Sequence, residues 1–127
     1  MNWDFNNDTP IYTQLVEKMK IAIVTGEFER GGKLPSVREL ASQAGVNPNT
    51  VQRAMAELER EGLVCSQRTS GRLVTEEQSL IELTKHSLAR RHVERFLSAM
   101  TELGIGQDEV IALLLQEKGN KIIDERT

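Results

Sequence analysis

The chain has a single cysteine, Cys65, among its 127 residues, which excludes an internal disulfide framework and suits a reducing cytosol. Its two histidines, His86 and His92, lie six apart in a helical stretch. That spacing turns them in different directions, and no cysteine or carboxylate cluster gives either a metal-ligand pattern. No apolar run approaches the roughly 20 residues of a membrane span, and no basic opening followed by an apolar stretch reads as a signal peptide. Gly31-Gly32 before Lys33 lacks the spacing of a phosphate-cradling loop, so it reads as a turn. A basic excess is missing too: the net charge is −3. These absences set the expectations of a cytoplasmic protein with no membrane partner, no metal, no cofactor and no catalytic constellation.

What is present suffices for one domain, or a small domain with an appendage. The acid excess is unevenly placed. Residues 1–75 carry 9 Lys+Arg against 9 Asp+Glu, and residues 76–127 carry 7 against 10. The first part is neutral, so only local clustering of its cations can draw a polyanion to it.

Hydrophobic periodicity organises that first part. Thr9 as N-cap and Pro10 at the first helical position open a helix with Ile11, Leu15, Met19, Ala22 and Ile23 on one stripe, stopping near Gly26. After the turn-rich GEFERGGK, Ser36 and Glu39 form a capping box. Val37, Leu40, Ala41 and Ala44 then mark a short helix closed by Gly45. Only Val46 and Asn47 separate Gly45 from Pro48, so a second helix follows almost at once, capped by Asn47. Two helices on so short a glycine-containing turn make a helix-turn-helix.

Along the second helix, expected over residues 48–61, Val51, Ala54, Met55 and Leu58 form the inner stripe. Asn49, Arg53, Ala56 and Arg60 fall opposite, with Thr50 and Gln52 at the flanks. Such polar first turns enter a major groove when the motif binds DNA. Asn and Gln match adenine, Arg matches guanine, and Thr serves base or phosphate. A solvated surface helix shows the same outward polarity. Two strands, Leu63–Arg68 and Arg72–Thr75, flank Thr69-Ser70-Gly71 and complete the winged-helix plan, with Arg68 and Arg72 set to follow a phosphate backbone or probe a minor groove. Cys65 is expected to pack under this wing.

Beyond Thr75 the composition shifts. Capping boxes at Thr75/Gln78 and Ser79/Glu82 compete to start a helix reaching Leu103, about 37 Å long at 1.5 Å per residue. Gly104-Ile105-Gly106 turns the chain into a second, shorter helix. This hairpin, residues 79–118, cannot enclose a core alone. A second copy is the economical partner, with Leu83, Val93, Phe96, Leu97, Met100, Leu103, Val110, Ile111 and Leu114 as the expected dimer interface. The histidines are then solvated or at that seam, and Arg90-Arg91 is a solvated pair or a site for an acidic partner.

KLPSVRELASQAGVNPNTVQRAMAELEREGLV with its TSGRLV wing resembles the winged-helix domain of GntR-family transcription regulators. TPIYTQLVEKMKIAIVTGEFERGGKLPS agrees with that family's first helix and turn, so the resemblance covers residues 9–75. NPNTVQRA and the two-helix tail resemble the YtrA-like branch, which lacks the large ligand-binding domain of other members. The resemblance implies that Arg38 is a helix-two DNA contact, that Asn49, Thr50 and Gln52 occupy recognition positions and that Gly71 is the wing tip. Geometry adds Arg53, and Ser36, Asn47, Arg68, Ser70 and Arg72 complete the candidate DNA-binding set. Many members carry arginine at the positions of Pro48 and Gln52, so their base preferences do not transfer. Members fused to an aminotransferase-like, pyridoxal-binding domain need a far longer tail.

The fold expected is therefore mainly α with a small β-hairpin: a winged helix-turn-helix over residues 1–75 and a helical dimerisation or regulatory tail over 76–127. The function expected is that of a dimeric bacterial repressor on a palindromic operator. Two alternatives are a winged-helix protein-interaction module, which salt dependence distinguishes, and a regulator sensing a small-molecule effector at the dimer seam.

Overall fold

The computed structural model describes the backbone of residues 1–126 and side chains through Asn120. Two compact units divide it, Met1–His86 and the stretch from Ser87 onward. The elements run α1 (Ile11–Val24), α2 (Val37–Ala44), α3 (Pro48–Arg60), β1 (Val64–Gln67), β2 (Gly71–Val74), α4 (Gln78–Glu102) and α5 (Gln107–Arg126).

In the first unit α1, α2 and α3 enclose one core, with Leu15, Met19, Leu40, Val51, Met55 and Leu58 fully buried. The inner stripe of α3 is the one that its periodicity predicts, Val51, Ala54, Met55 and Leu58. On α1 the stripe also takes in Val16 and Lys20, while Ile11 stays at the surface. Lys20 can be buried because its ammonium meets the Glu61 carboxylate at 2.9 Å, tying mid-α1 to the end of α3.

The helix ends show how local chemistry fixes the boundaries. α1 starts one residue later than expected, with Pro10 rather than Thr9 at its N-cap. Proline leaves no side-chain acceptor there, and its carbonyl takes the amides of Thr13 and Gln14 instead. Ser36 Oγ accepts the Glu39 amide at 3.1 Å and Asn47 Oδ1 accepts the Asn49 amide at 2.8 Å, so both N-caps form, the expected capping box in its serine half. Gly45 ends α2 at φ +68°, the left-handed conformation that reverses the chain into α3.

The wing is antiparallel, with Val64 opposite Val74 and Ser66 opposite Arg72. β1 is two residues shorter than the sequence suggests, β2 has the expected length but starts one residue earlier, and the sheet has a partner that hydropathy did not announce. Lys33 bridges Leu73, the Leu34 amide donates to the Arg72 carbonyl at 2.9 Å, and the Val74 amide donates to the Gly32 carbonyl at 2.9 Å. The segment before α2 thus covers the open edge of β2, which would otherwise present unpaired backbone groups. Cys65 is exposed, contrary to expectation. Val64 takes the inward position of β1, and the period of two turns its neighbour out.

α4 begins at Gln78, with the Thr75 hydroxyl accepting the Glu77 amide at 3.1 Å. Its first turns belong to the first unit, where Ile81 joins the core and Leu80 packs against it. Ile81 and Leu88, both buried, are absent from the stripe read from the sequence. In the second unit α5 continues past residue 118, and Val110 is buried.

The turn between α2 and α3 is testable. No atom lies within 4 Å of where a Gly45 Cβ would stand, so Gly45→Ala carries only the backbone cost of the left-handed region, about 1–2 kcal/mol. Urea unfolding is expected to show that loss as a lower midpoint with an unchanged slope.

Candidate nucleic-acid interface

α3 offers one polar face because its other face is consumed by the core. Asn49, Gln52, Arg53 and Ala56 are exposed, and Thr50 is half-buried at the edge. The capping role of Asn47 occupies its side-chain oxygen and leaves the amide NH2 to donate outward. Ser36 is likewise exposed at the start of α2, its hydroxyl proton free to donate while Oγ accepts. Arg38 stands exposed two residues further along, in the first turn of the same helix.

Charge pairing sorts the cations of this unit. Lys20 is held by Glu61, Arg60 by Glu57, and Arg72 by Glu59. Lys33, Arg38, Arg53 and Arg68 have no carboxylate within 4.0 Å among the described residues. Lys18, over the Phe5 ring, and Arg30, bonded to the neutral Gln78, also have no such carboxylate. The neutral sum of the first 75 residues therefore conceals uncompensated cations, of which Lys33, Arg38, Arg53 and Arg68 are at the strand edge beside the wing, on α2, on α3 and at the wing tip.

The wing places its two arginines differently. Arg68 is exposed at the tip, next to Ser70 and to Gly71, whose φ of +77° makes the turn. Arg72 instead reaches back, its Nε 2.6 Å from Glu59 on α3, and the Ser66 hydroxyl donates to the same Glu59 oxygen at 2.7 Å. The Arg72 hydrogen bond, and after it the one from Ser66, hold the Glu59 carboxyl below its ordinary value. Glu59 therefore stays ionised near neutrality and fastens both strands to α3. Of the two wing arginines, only Arg68 retains a free charge.

Lys33 was not singled out in the sequence because it lies in a glycine turn. The isolated bridge to Leu73 brings it beside the wing, its Cε 3.6 Å from the position of a Gly71 Cβ. It lines a cleft of about 450 Å³ with Ser36, Gln67, Gly71 and Arg72, open between the start of α2 and the hairpin. The donors of Lys33, Ser36 and Gln67 share this cleft with the Glu39 carboxylate.

The model of the bacterial regulatory proteins of the gntR family matches residues 11–74. The chain belongs to the GntR family. A GntR-family transcriptional regulator from Listeria monocytogenes is 42% identical, with TM-score 0.80 over 88% of this chain and 98% of that one. The HTH-type transcriptional repressor YtrA of Bacillus subtilis (strain 168) is 47% identical over 73 residues, 58% of this chain and 56% of that protein. The DNA-binding domain of AraR, solved in complex with operator ORX1, is 28% identical with TM-score 0.53, over 57% of this chain and 93% of that one. The fold is that of the GntR winged helix, and this chain is a DNA-binding transcription regulator.

The sorting of charges in this GntR domain predicts a contrast in salt dependence. Arg68→Ala is expected to lower the slope of log affinity against log salt by about 1. The double variant Glu59→Gln/Arg72→Met, which removes both charges of the wing pair, is expected to leave that slope unchanged. Fluorescence anisotropy on one duplex between 50 and 200 mM salt, a range that resolves such slopes, checks both.

Proposed function

We infer that this regulator is a dimeric repressor that holds a palindromic operator with one α3 in each of two major grooves and each wing on the flanking backbone. The observation that carries this reading is the uncompensated set Lys33, Arg38, Arg53 and Arg68 around the polar face of α3. In it Asn49, Thr50, Gln52 and Arg53 address base edges. Ser36, Arg38, Asn47, Arg68, Ser70 and Gly71 address phosphates and sugar, and Arg72 orients the wing. Such a partner belongs to the bacterial cytoplasm, and among the described residues no helix is long and apolar enough to cross a membrane. The named relatives are regulators, and this chain acts by binding rather than by catalysis.

Apolar exposure in the second unit supports self-association. Leu83 in the first unit, and Val93, Phe96, Leu103, Ile111 and Leu114 in the second, are exposed, and Leu97 and Met100 are half-buried. Val93, Phe96, Leu97, Val110, Ile111 and Leu114 line a mostly apolar groove of about 410 Å³ on α4 and α5. Soluble monomers seldom leave such a patch uncovered, and a twofold partner covers it with the same residues. The groove also lies within the size range of small-molecule sites, which favours an apolar effector at the seam as a second reading.

Two measurements test the proposal. Selection of the protein on randomised duplex DNA at physiological salt is expected to enrich an inverted repeat. Arg38→Ala is expected to weaken that enrichment. Failure of the wild-type chain to enrich any sequence would favour the interaction-module alternative. Sedimentation at micromolar concentration is expected to give a dimer for the wild type and a monomer for Phe96→Asp, which buries an unpaired charge in the seam. A wild-type monomer there sinks the dimeric part of the reading.

A further inference from the structure

Arg53 is not loose on the surface of α3. Its guanidinium carbon lies 3.6 Å from the centroid of the Tyr12 ring, in the first turn of α1. Tyr12 is half-buried and packs against the hydrophobic core, so the ring is itself held in place. Arginine stacks through its planar face, and its five N–H donors point outward in that plane. The contact with Tyr12 therefore restrains the side chain without consuming a hydrogen-bond donor. No carboxylate competes for those donors among the described residues. An unstacked arginine must give up rotamer freedom on meeting DNA, and a stacked one has given up much of it beforehand.

We propose that Tyr12 is a positioning residue for DNA recognition: it pre-orients Arg53 so that the guanidinium edge reaches the groove in one geometry, coupling α1 to specificity. This rests on the DNA-binding reading above. Arg53 is the residue that touches DNA, and Tyr12 acts through it. Lysine does not substitute for arginine in this role, because an ammonium has no planar face and forked edge to hold.

The test is a double-mutant cycle on the selected operator and on a duplex altered at single base pairs, in the full chain. Tyr12→Leu keeps an apolar side chain against the core and removes the ring. It is expected to weaken operator binding about two- to fivefold, the factor a surface cation–π contact supplies, and to reduce discrimination at the same base pair that Arg53→Ala relaxes. Tyr12→Phe keeps the ring and is expected to rescue both. In the Arg53→Ala background, Tyr12→Leu is expected to change nothing further.

An undiminished Tyr12→Leu effect in that background would overturn the proposal, because the tyrosine would then act through the fold. Equal losses for Tyr12→Phe and Tyr12→Leu would overturn it in favour of the hydroxyl. A DNA-independent readout separates this inference from the reading it rests on. Ring-current shifts of the Arg53 side-chain protons, measured by NMR on the free protein, are expected to vanish in Tyr12→Leu and persist in Tyr12→Phe. Absence of those shifts in the wild type overturns the stack whether or not the chain binds DNA.

Discussion

Complete burial of Val51, Ala54, Met55 and Leu58 on one side of α3 is the constraint from which the interface follows. A helix with four side chains sealed in the core cannot roll. Rotation by one residue would bring a polar group inward without a partner, at roughly 1–3 kcal/mol each. The outward set Asn49, Gln52, Arg53 and Ala56 is therefore fixed by residues that never meet a ligand. Fixing the helix also fixes its neighbours. Asn47 must cap it, Gly45 must reverse the chain before it, and Glu59 on its last turns becomes the anchor for Ser66 and Arg72 of the wing.

The second constraint is electrostatic. A domain that binds a polyanion with as many acids as bases must keep its carboxylates away from the contacting face or use them internally. Glu57, Glu59 and Glu61 lie together at the end of α3, and each holds a cation: Arg60, Arg72 and Lys20 respectively. Hydrogen bonding by Arg60 and Arg72 lowers the pKa of Glu57 and Glu59, so the pairs persist as ions at neutral pH. These carboxylates repel phosphate less than the sequence implies, since each is already matched. The bridge between Glu59 and Arg72 also makes this arginine a support for the hairpin.

Much of this was legible in the sequence, and the reason is local. The Ser36 and Asn47 caps, the left-handed Gly45 and the inner stripe of α3 each depend on residues within a turn or two of one another. What escaped depends on distant partners. The partner of Arg72 lies 13 positions away, and the bridge from Lys33 to Leu73 spans a helix-turn-helix. Neither leaves a periodic signal. Lys20 read as polar surface because its carboxylate lies 41 positions later. Cys65 misled for another reason: in strands of four residues, one step of register decides which side chain turns inward, and composition does not set that step. Arg53 was visible as an outward cation. Its restraint by Tyr12 was not, since the two sit on different helices.

A single domain of this design is a modest DNA binder. Lys33, Arg38, Arg53 and Arg68, if each met a phosphate, would give a salt slope of about −3.6, and in the proposed dimer the slope would double to about −7. The exposed apolar residues of the tail then acquire a physical purpose beyond covering themselves. Linking two reading heads makes the second contact intramolecular, which raises avidity without any new contact to DNA. α4 starts in the core of the first unit through Ile81 and carries Val93 and Phe96 in the second. One continuous helix thus joins the element that would set half-site spacing to the core that orients α3.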